Sequence, residues 1–246
     1  MTIFWEIHSN LPREGPGDNE STRKAFEMIS DSGCELNILD MGCGPGMQTL
    51  ELANLTKGKI TAIDNHQPFL ETLQERAQEA GIHERIEVIN QSMFALSLPE
   101  NSYDVIWSEG AIYIIGFERG LREWRKFLKP YGYIVVSECC WLKSDPPDDL
   151  KAFWDDGYPD MGTIEQNRRR ICNCDFNEIG YFVLPVAAWW RYYYNPLAKR
   201  LRILRNKYKN NLEAQRELES EIEEIDLFQR YHDYYGYVFF VMQKAY

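Results

Sequence analysis

The sequence predicts an α/β fold: a doubly wound, seven-stranded, mostly parallel sheet with helices on both faces and a helical insertion or cap near the C-terminus. Three observations carry this. Short apolar runs alternate with helix-period segments from residue 36 to residue 139, the pattern of right-handed crossovers between parallel strands. The first of these runs ends in an acid and enters a glycine-rich turn that leads into a helix. A long amphipathic helical segment separates the last two strand signals.

The elements follow in order. The stretch to Asn19 is rich in Pro and Gly (Pro12, Gly15, Pro16, Gly17) and reads as an ordered loop or lid. A helix is expected from Glu20, capped by Asn19 or Ser21 and stopped by Gly33, with Ala25, Phe26 and Ile29 on one face. Leu36–Asp40 reads as the first strand, followed by a helix over 48–55. Lys59–Asp64 is the second strand, followed by a helix over 68–80 that Gly81 ends. Ile86–Asn90 and Tyr103–Ser108 are the third and fourth strands, and Phe117–Leu128 is a helix. The turn Lys129-Pro130-Tyr131-Gly132 then opens a fifth strand, Tyr133–Cys139. Helices are expected over 151–158 and 163–172, a sixth strand over 181–184 and a seventh over 236–243. The insertion spans about 187–231, and Leu218, Ile222, Ile225 and Phe228 mark its packed face.

A chain of 246 residues can bury one sizeable core. Hydrophobic residues make up 44% and charged residues 26%, a soluble globular balance. No apolar run approaches the ~20 residues of a membrane span. The N-terminus lacks the basic-then-apolar pattern of a secretory signal, so a cytoplasmic location is expected. With 27 Lys plus Arg against 38 Asp plus Glu, the net charge of −11 repels phosphate backbones and disfavours nucleic acid as a partner. The basic stretch Lys199–Lys209 and the acidic stretch Glu213–Glu224 read as solvated helix faces of opposite sign. The six cysteines lack zinc-site spacing and the density of a disulfide scaffold. They read as reduced thiols, and no metal is expected.

The segment Ile38-Leu-Asp-Met-Gly-Cys-Gly-Pro-Gly-Met47 is the most informative. Glycines at 42, 44 and 46 let the backbone turn sharply and approach a ligand with no Cβ in the way. A dinucleotide fingerprint would need its third glycine at position 47, which is methionine. The observed G-x-G-x-G is instead preceded by Asp40, and Asp64 closes the second strand, placed to accept hydrogen bonds from ribose hydroxyls.

Asp40-Met-Gly-Cys-Gly-Pro-Gly46 resembles the first motif of the class I, Rossmann-like, S-adenosylmethionine (SAM)-dependent methyltransferases. The Leu-Lys-Pro-Tyr-Gly turn at 128–132 is also similar to theirs, with Tyr131 in place of a glycine. The resemblance covers roughly residues 25–138 and is nearest the quinone-, sterol- and small-amine-type branch. It implies a SAM site in which Asp40, Gly42, Gly44 and Gly46 hold the methionine end and Asp64, with Asn65, holds the ribose. The family's third element, commonly Gly-Asp, is here Gln91-Ser92-Met93. That leaves Ser92 and Met93 as the adenine contacts.

Glu109 and Tyr113, just past the fourth strand, are expected to face the site and to orient or deprotonate the acceptor, with Glu109 also near the cofactor. Candidates for the acceptor pocket are Arg13, Trp141, Trp189, Trp190 and Tyr193. Arg13 offers a bidentate grip on a carboxylate and the aromatics offer faces to a cation. For the aromatics a core role is the competing reading. The whole reads as one domain: a lid at 1–19, a cofactor-binding core at 20–145 and a substrate-side segment at 146–246. The expected reaction is methyl transfer from SAM to a small molecule, leaving S-adenosylhomocysteine (SAH). A SAM-binding regulator, a nicotinamide-dependent oxidoreductase and a nucleic-acid or protein methyltransferase stay open as alternatives. The insertion could serve as a lid or as a homodimer interface.

Overall fold

The computed structural model describes residues 3–30 and 34–245. Seven strands form one sheet in the order β3-β2-β1-β4-β5-β7-β6. They are β1 (Ile38–Met41), β2 (Ile60–Asp64), β3 (Ile86–Asn90), β4 (Tyr103–Glu109), β5 (Leu128–Trp141), β6 (Phe176–Val183) and β7 (Tyr235–Lys244). The first five are parallel, and β7 runs antiparallel between β5 and β6. Side chains alternate between two cores, as expected of strands covered on both faces. Ile38, Ile60, Val105, Trp107 and Val135 face one core, while Leu39, Met41, Ile106, Ile134 and Val136 face the other.

The ten α-helices among the described residues are α1 (Ile3–Ile7), α2 (Asn19–Glu27), α3 (Met47–Leu55), α4 (Gln67–Glu79), α5 (Phe117–Trp124), α6 (Asp148–Gly157), α7 (Ile164–Asn173), α8 (Val186–Trp189), α9 (Asn195–Lys207) and α10 (Leu212–Tyr231). Helices α2, α3 and the α8–α10 insertion cover the first face, and α5 and α7 cover the second. None is long and apolar enough to cross a membrane.

Several expected boundaries move, each for a local reason. The N-terminal stretch is not all loop. Helix α1 forms there because Arg200 donates to the Glu6 carbonyl while Lys207 and Tyr208 bind its carboxylate, so part of the basic run on α9 anchors α1. The cap of α2 is Asp18, whose carboxylate accepts from the Ser21 N–H, rather than Asn19 or Ser21. That helix ends at Glu27, and the expected stop, Gly33, lies outside the described residues. A 3-10 turn at 125–127 ends the helix expected to run to Leu128, and β5 begins at Leu128 itself. Within it Tyr131 holds φ 62°, the left-handed region in which a glycine would be unstrained. Strand β6 starts at Phe176, five residues earlier than expected, because it pairs with β7 through Phe176↔Lys244.

The insertion is not one continuous segment. It opens with α8 and passes into a π-turn at Trp190–Tyr194, just before Pro196, which lacks an N–H and would crowd the preceding turn of a regular helix. It breaks again before Asn211, whose side chain caps α10 by accepting from the Ala214 N–H.

Candidate functional site

The strand order reverses between β1 and β4, and ligands in open α/β sheets bind at such a switch, outside the strands' carboxyl ends. A cavity of about 340 Å³ lies there. One wall is the turn after β1. Gly42, Gly44 and Gly46 have φ of 72°, 52° and 84°, a run that other residues adopt only under strain. Their surroundings differ. A Cβ at Gly46 would sit 2.2 Å from Leu73 Cδ1, so this glycine lets the turn pack on α4. A Cβ at Gly44 would meet nothing nearer than Glu14 Cγ at 3.7 Å and would project toward the cavity. That is the shape of a cradle kept open for a ligand.

Asp64 closes β2 at the cavity edge. Its carboxylate accepts from the Gly44 N–H and the His66 N–H, both at 2.9 Å, which fixes the turn and leaves lone pairs for further donors. It is not the helix cap, since α4 begins after His66. Asn65, Gln91, Ser92 and Met93 complete this end of the cavity. Asp40 lies fully buried beneath the turn. Its Oδ2 accepts from the Thr49 hydroxyl at 2.6 Å, its Oδ1 has no hydrogen-bond partner, and burial pushes its carboxyl up to about 7.

Glu109 and Arg13 line the cavity as a buried pair. Glu109 Oε1 accepts from Thr22 at 2.7 Å and from the Trp107 indole at 2.8 Å, and its Oε2 pairs with Arg13 Nη2 at 2.5 Å. Both residues are under a tenth exposed. The pair ties the N-terminal segment to β4, and α2 is tied in through Thr22. Arg13 Nη1 is buried without a hydrogen-bond partner, a donor left for a ligand's anionic group.

The opposite wall is built of side chains from distant segments. His8 Nδ1 bonds Glu14 at 2.9 Å, and His8 Nε2 lies 3.5 Å from Glu221. Burial works to lower the His8 pKa, but the two carboxylates outweigh it and raise it to about 9. Burial lifts Glu14 and Glu224 each to about 7. Glu224 accepts from the Tyr194 hydroxyl at 2.8 Å. Tyr113 and Tyr193 line the same end, and desolvation holds both phenols above their ordinary range, so each is neutral at pH 7.

Of the residues singled out from sequence, the structure brings together Arg13, Gly42, Gly44, Asp64, Asn65, Ser92, Met93, Glu109, Tyr113 and Tyr193 around this cavity. Gly46 and Asp40 support it from behind. Trp141, Trp189 and Trp190 do not line it. Trp189 stacks on Phe228 at 4.0 Å in the core, Trp190 packs edge-on against Tyr194, and Trp141 ends β5. Their apolar area is consumed in seating the insertion on the sheet. Sequence reasoning passed over Glu14, Glu221 and Glu224. One signal was present: Glu221 interrupts the apolar stripe Ala214, Leu218, Ile225, Phe228, where a solvated acid would not fall.

Comparison with known proteins bears on this fold and cavity. Residues 38–132 match the family described as a methyltransferase domain. Sterol 24-C-methyltransferase ERG6A of Gibberella zeae is 27% identical over 180 residues, which is 68% of this chain and 46% of that protein. The chain spans about half the length of the curated relatives it matches. A SAM-dependent methyltransferase from Geobacter sulfurreducens, solved with SAH, shares the fold with TM-score 0.84 at 18% identity, covering 100% of this chain and 98% of that one. The [4+2]-cyclase SpnF also shares it, with TM-score 0.76 at 18% identity over 99% of this chain and 91% of that one. The fold alone therefore does not fix the reaction.

Proposed function

We propose that the protein is a SAM-dependent methyltransferase acting on a small molecule. One observation carries the reading: a left-handed glycine turn opens onto a cavity at the sheet's switch point, with Asp64 on the neighbouring strand end. The residues present fit the cofactor. Gly44 leaves room for its methionine end, and Arg13 Nη1 offers a free donor to its carboxylate. Asp64 has lone pairs for the ribose hydroxyls, while Ser92 and Met93 lie where adenine would rest. When bound, SAM supplies a methyl group on a cationic sulfur that departs as a neutral thioether.

The chain's own work is to hold the acceptor in line, exclude water and take up a proton where needed. Glu109 has both carboxylate oxygens engaged, so we assign it to positioning Arg13 and the N-terminal segment rather than to proton abstraction. Tyr113, a neutral phenol on the far wall, orients the acceptor. The N-terminal segment serves as a lid, and the insertion supplies the wall opposite the glycine turn.

Isothermal titration tests the reading. We expect SAH to bind with micromolar affinity and the Asp64→Ala variant to lose ~100-fold, the cost of two hydrogen bonds to a charged acceptor. Absence of binding by both SAM and SAH would overturn it.

A further inference from the structure

We propose that the methyl acceptor is a small amine that enters as its ammonium ion, gripped between the carboxylates of Glu221 and Glu224 and the rings of Tyr113 and Tyr193. The proposal rests on the cofactor reading above, which assigns the glycine-turn end of the cavity to SAM. It concerns the other end, and three independent features of that end point to a cation.

The first is placement. Glu221 and Glu224 lie three residues apart on α10, so they share one helix face, and both border the cavity. The second is charge balance. Among the described residues at this end, the three carboxylates Glu14, Glu221 and Glu224 outnumber the cations: His8 is shared by Glu14 and Glu221, Arg76 acts on Glu14 from α4, and Arg13 pairs with Glu109. An anionic acceptor would be repelled here. A wholly apolar one would leave the excess negative charge of this end uncompensated and out of water. The third is unmet hydrogen bonding. The buried Glu14 Oε1 at the cavity has no hydrogen-bond partner, whereas His8 Nε2 is already ion-paired with Glu221 at 3.5 Å. An unmet acceptor suits a ligand carrying N–H groups. Tyr113 and Tyr193 add aromatic faces that attract a cation.

An ammonium nitrogen must lose a proton before it can act as a nucleophile. In this site the N–H bond breaks, the proton passes to a Glu224 oxygen and the electron pair stays on nitrogen as the attacking lone pair. Burial sets the Glu224 carboxyl near 7, with the Glu221 charge adding and the Tyr194 hydrogen bond and His8 opposing. A group poised there can accept a proton at neutral pH. The groups that face it are Glu221 on its own helix, His8 and Glu14 from the N-terminal segment, Tyr193 and Tyr194 from the π-turn, Tyr113 after β4 and Tyr235 on β7.

The test is calorimetric titration of the full chain, loaded with SAH, with choline and tetramethylammonium, and with 3,3-dimethylbutan-1-ol as the uncharged shape-match of choline. Both cations are expected to bind about tenfold tighter than the neutral probe. Glu221→Gln and Glu224→Gln should each reduce that preference and together abolish it, with SAH affinity kept within ~2-fold as the check that the fold survives. Equal binding of charged and neutral probes, no binding of any probe, or a preference that outlasts both substitutions would overturn the proposal. If SAH itself does not bind, the cofactor reading falls instead, and the same titrations on the unloaded chain decide the cation preference separately.

Discussion

The two walls of the cavity are built by different means. The glycine-turn wall is mostly backbone: three left-handed glycines, N–H groups held by Asp64 and a helix start, all within one βαβ unit. The α10 wall is side chain throughout, with His8, Glu14, Tyr113, Tyr193, Glu221 and Glu224 arriving from four separate segments. A backbone wall is stiff. A wall of coupled carboxylates and an imidazole responds to pH and tolerates exchange of single members. The first suits an invariant ligand, the second a ligand that distinguishes this protein from others of its fold.

The largest effect is expected where the walls are joined. Glu109→Ala leaves Arg13 buried beside an empty site, which should cost ~3–5 kcal/mol and expose the N-terminal segment to proteolysis. Urea unfolding and limited trypsin digestion would show it. A variant as stable as the parent would mean that the two walls stand independently. Gly46→Ala comes next. Its Cβ would collide with Leu73 in a left-handed turn, so we expect ~2–3 kcal/mol of destabilisation from steric strain. A loss under about 1 kcal/mol would show the turn to be softer than the comparison requires.

A smaller effect distinguishes the walls by pH. Asp40, Glu14 and Glu224 are each raised to about 7, Glu138, buried and bonded to Tyr158, to about 8, and His8 to about 9. Each lies above its ordinary value, so between about pH 5 and about pH 9 the folded chain binds more protons than the unfolded one. Its stability is therefore present at the acid end of that window and lost as pH rises. Differential scanning calorimetry should give a lower Tm at pH 9 than at pH 5.5, and Glu224→Gln should flatten part of the slope. A Tm that rises across the window would contradict the assignment. The smallest effect is Tyr113→Phe, which should leave SAH affinity within ~2-fold while weakening acceptor binding. A large loss of SAH affinity would place Tyr113 on the cofactor side.

The same difference decides what could be read from the sequence. The β1–turn–α3 segment and Asp64 were legible because a local chain pattern, acid and spaced glycines, dictates a local backbone shape. The five parallel strands were legible for the same reason, as continuous apolar runs between turns. The α10 wall was not. Glu221 and Glu224 sit in a run of acids that reads as solvated, and only docking of α10 on the sheet turns them inward. Trp189 and Trp190 misled in the opposite sense: aromatic residues near a site serve packing as readily as binding, and here Phe228 claims Trp189. Helix α1 was invisible because its stability comes from Arg200, Lys207 and Tyr208, about 200 residues away in sequence.

The central claim, that the glycine turn and Asp64 form the seat of SAM, is tested most directly by a crystal structure of the protein with SAH. The account predicts the homocysteine carboxylate against Arg13, the ribose hydroxyls on Asp64 and the adenine between Ser92 and Met93, with the thioether sulfur facing Tyr113 and the α10 carboxylates. SAH seated elsewhere, or reversed so that adenine meets Glu221 and Glu224, would contradict it.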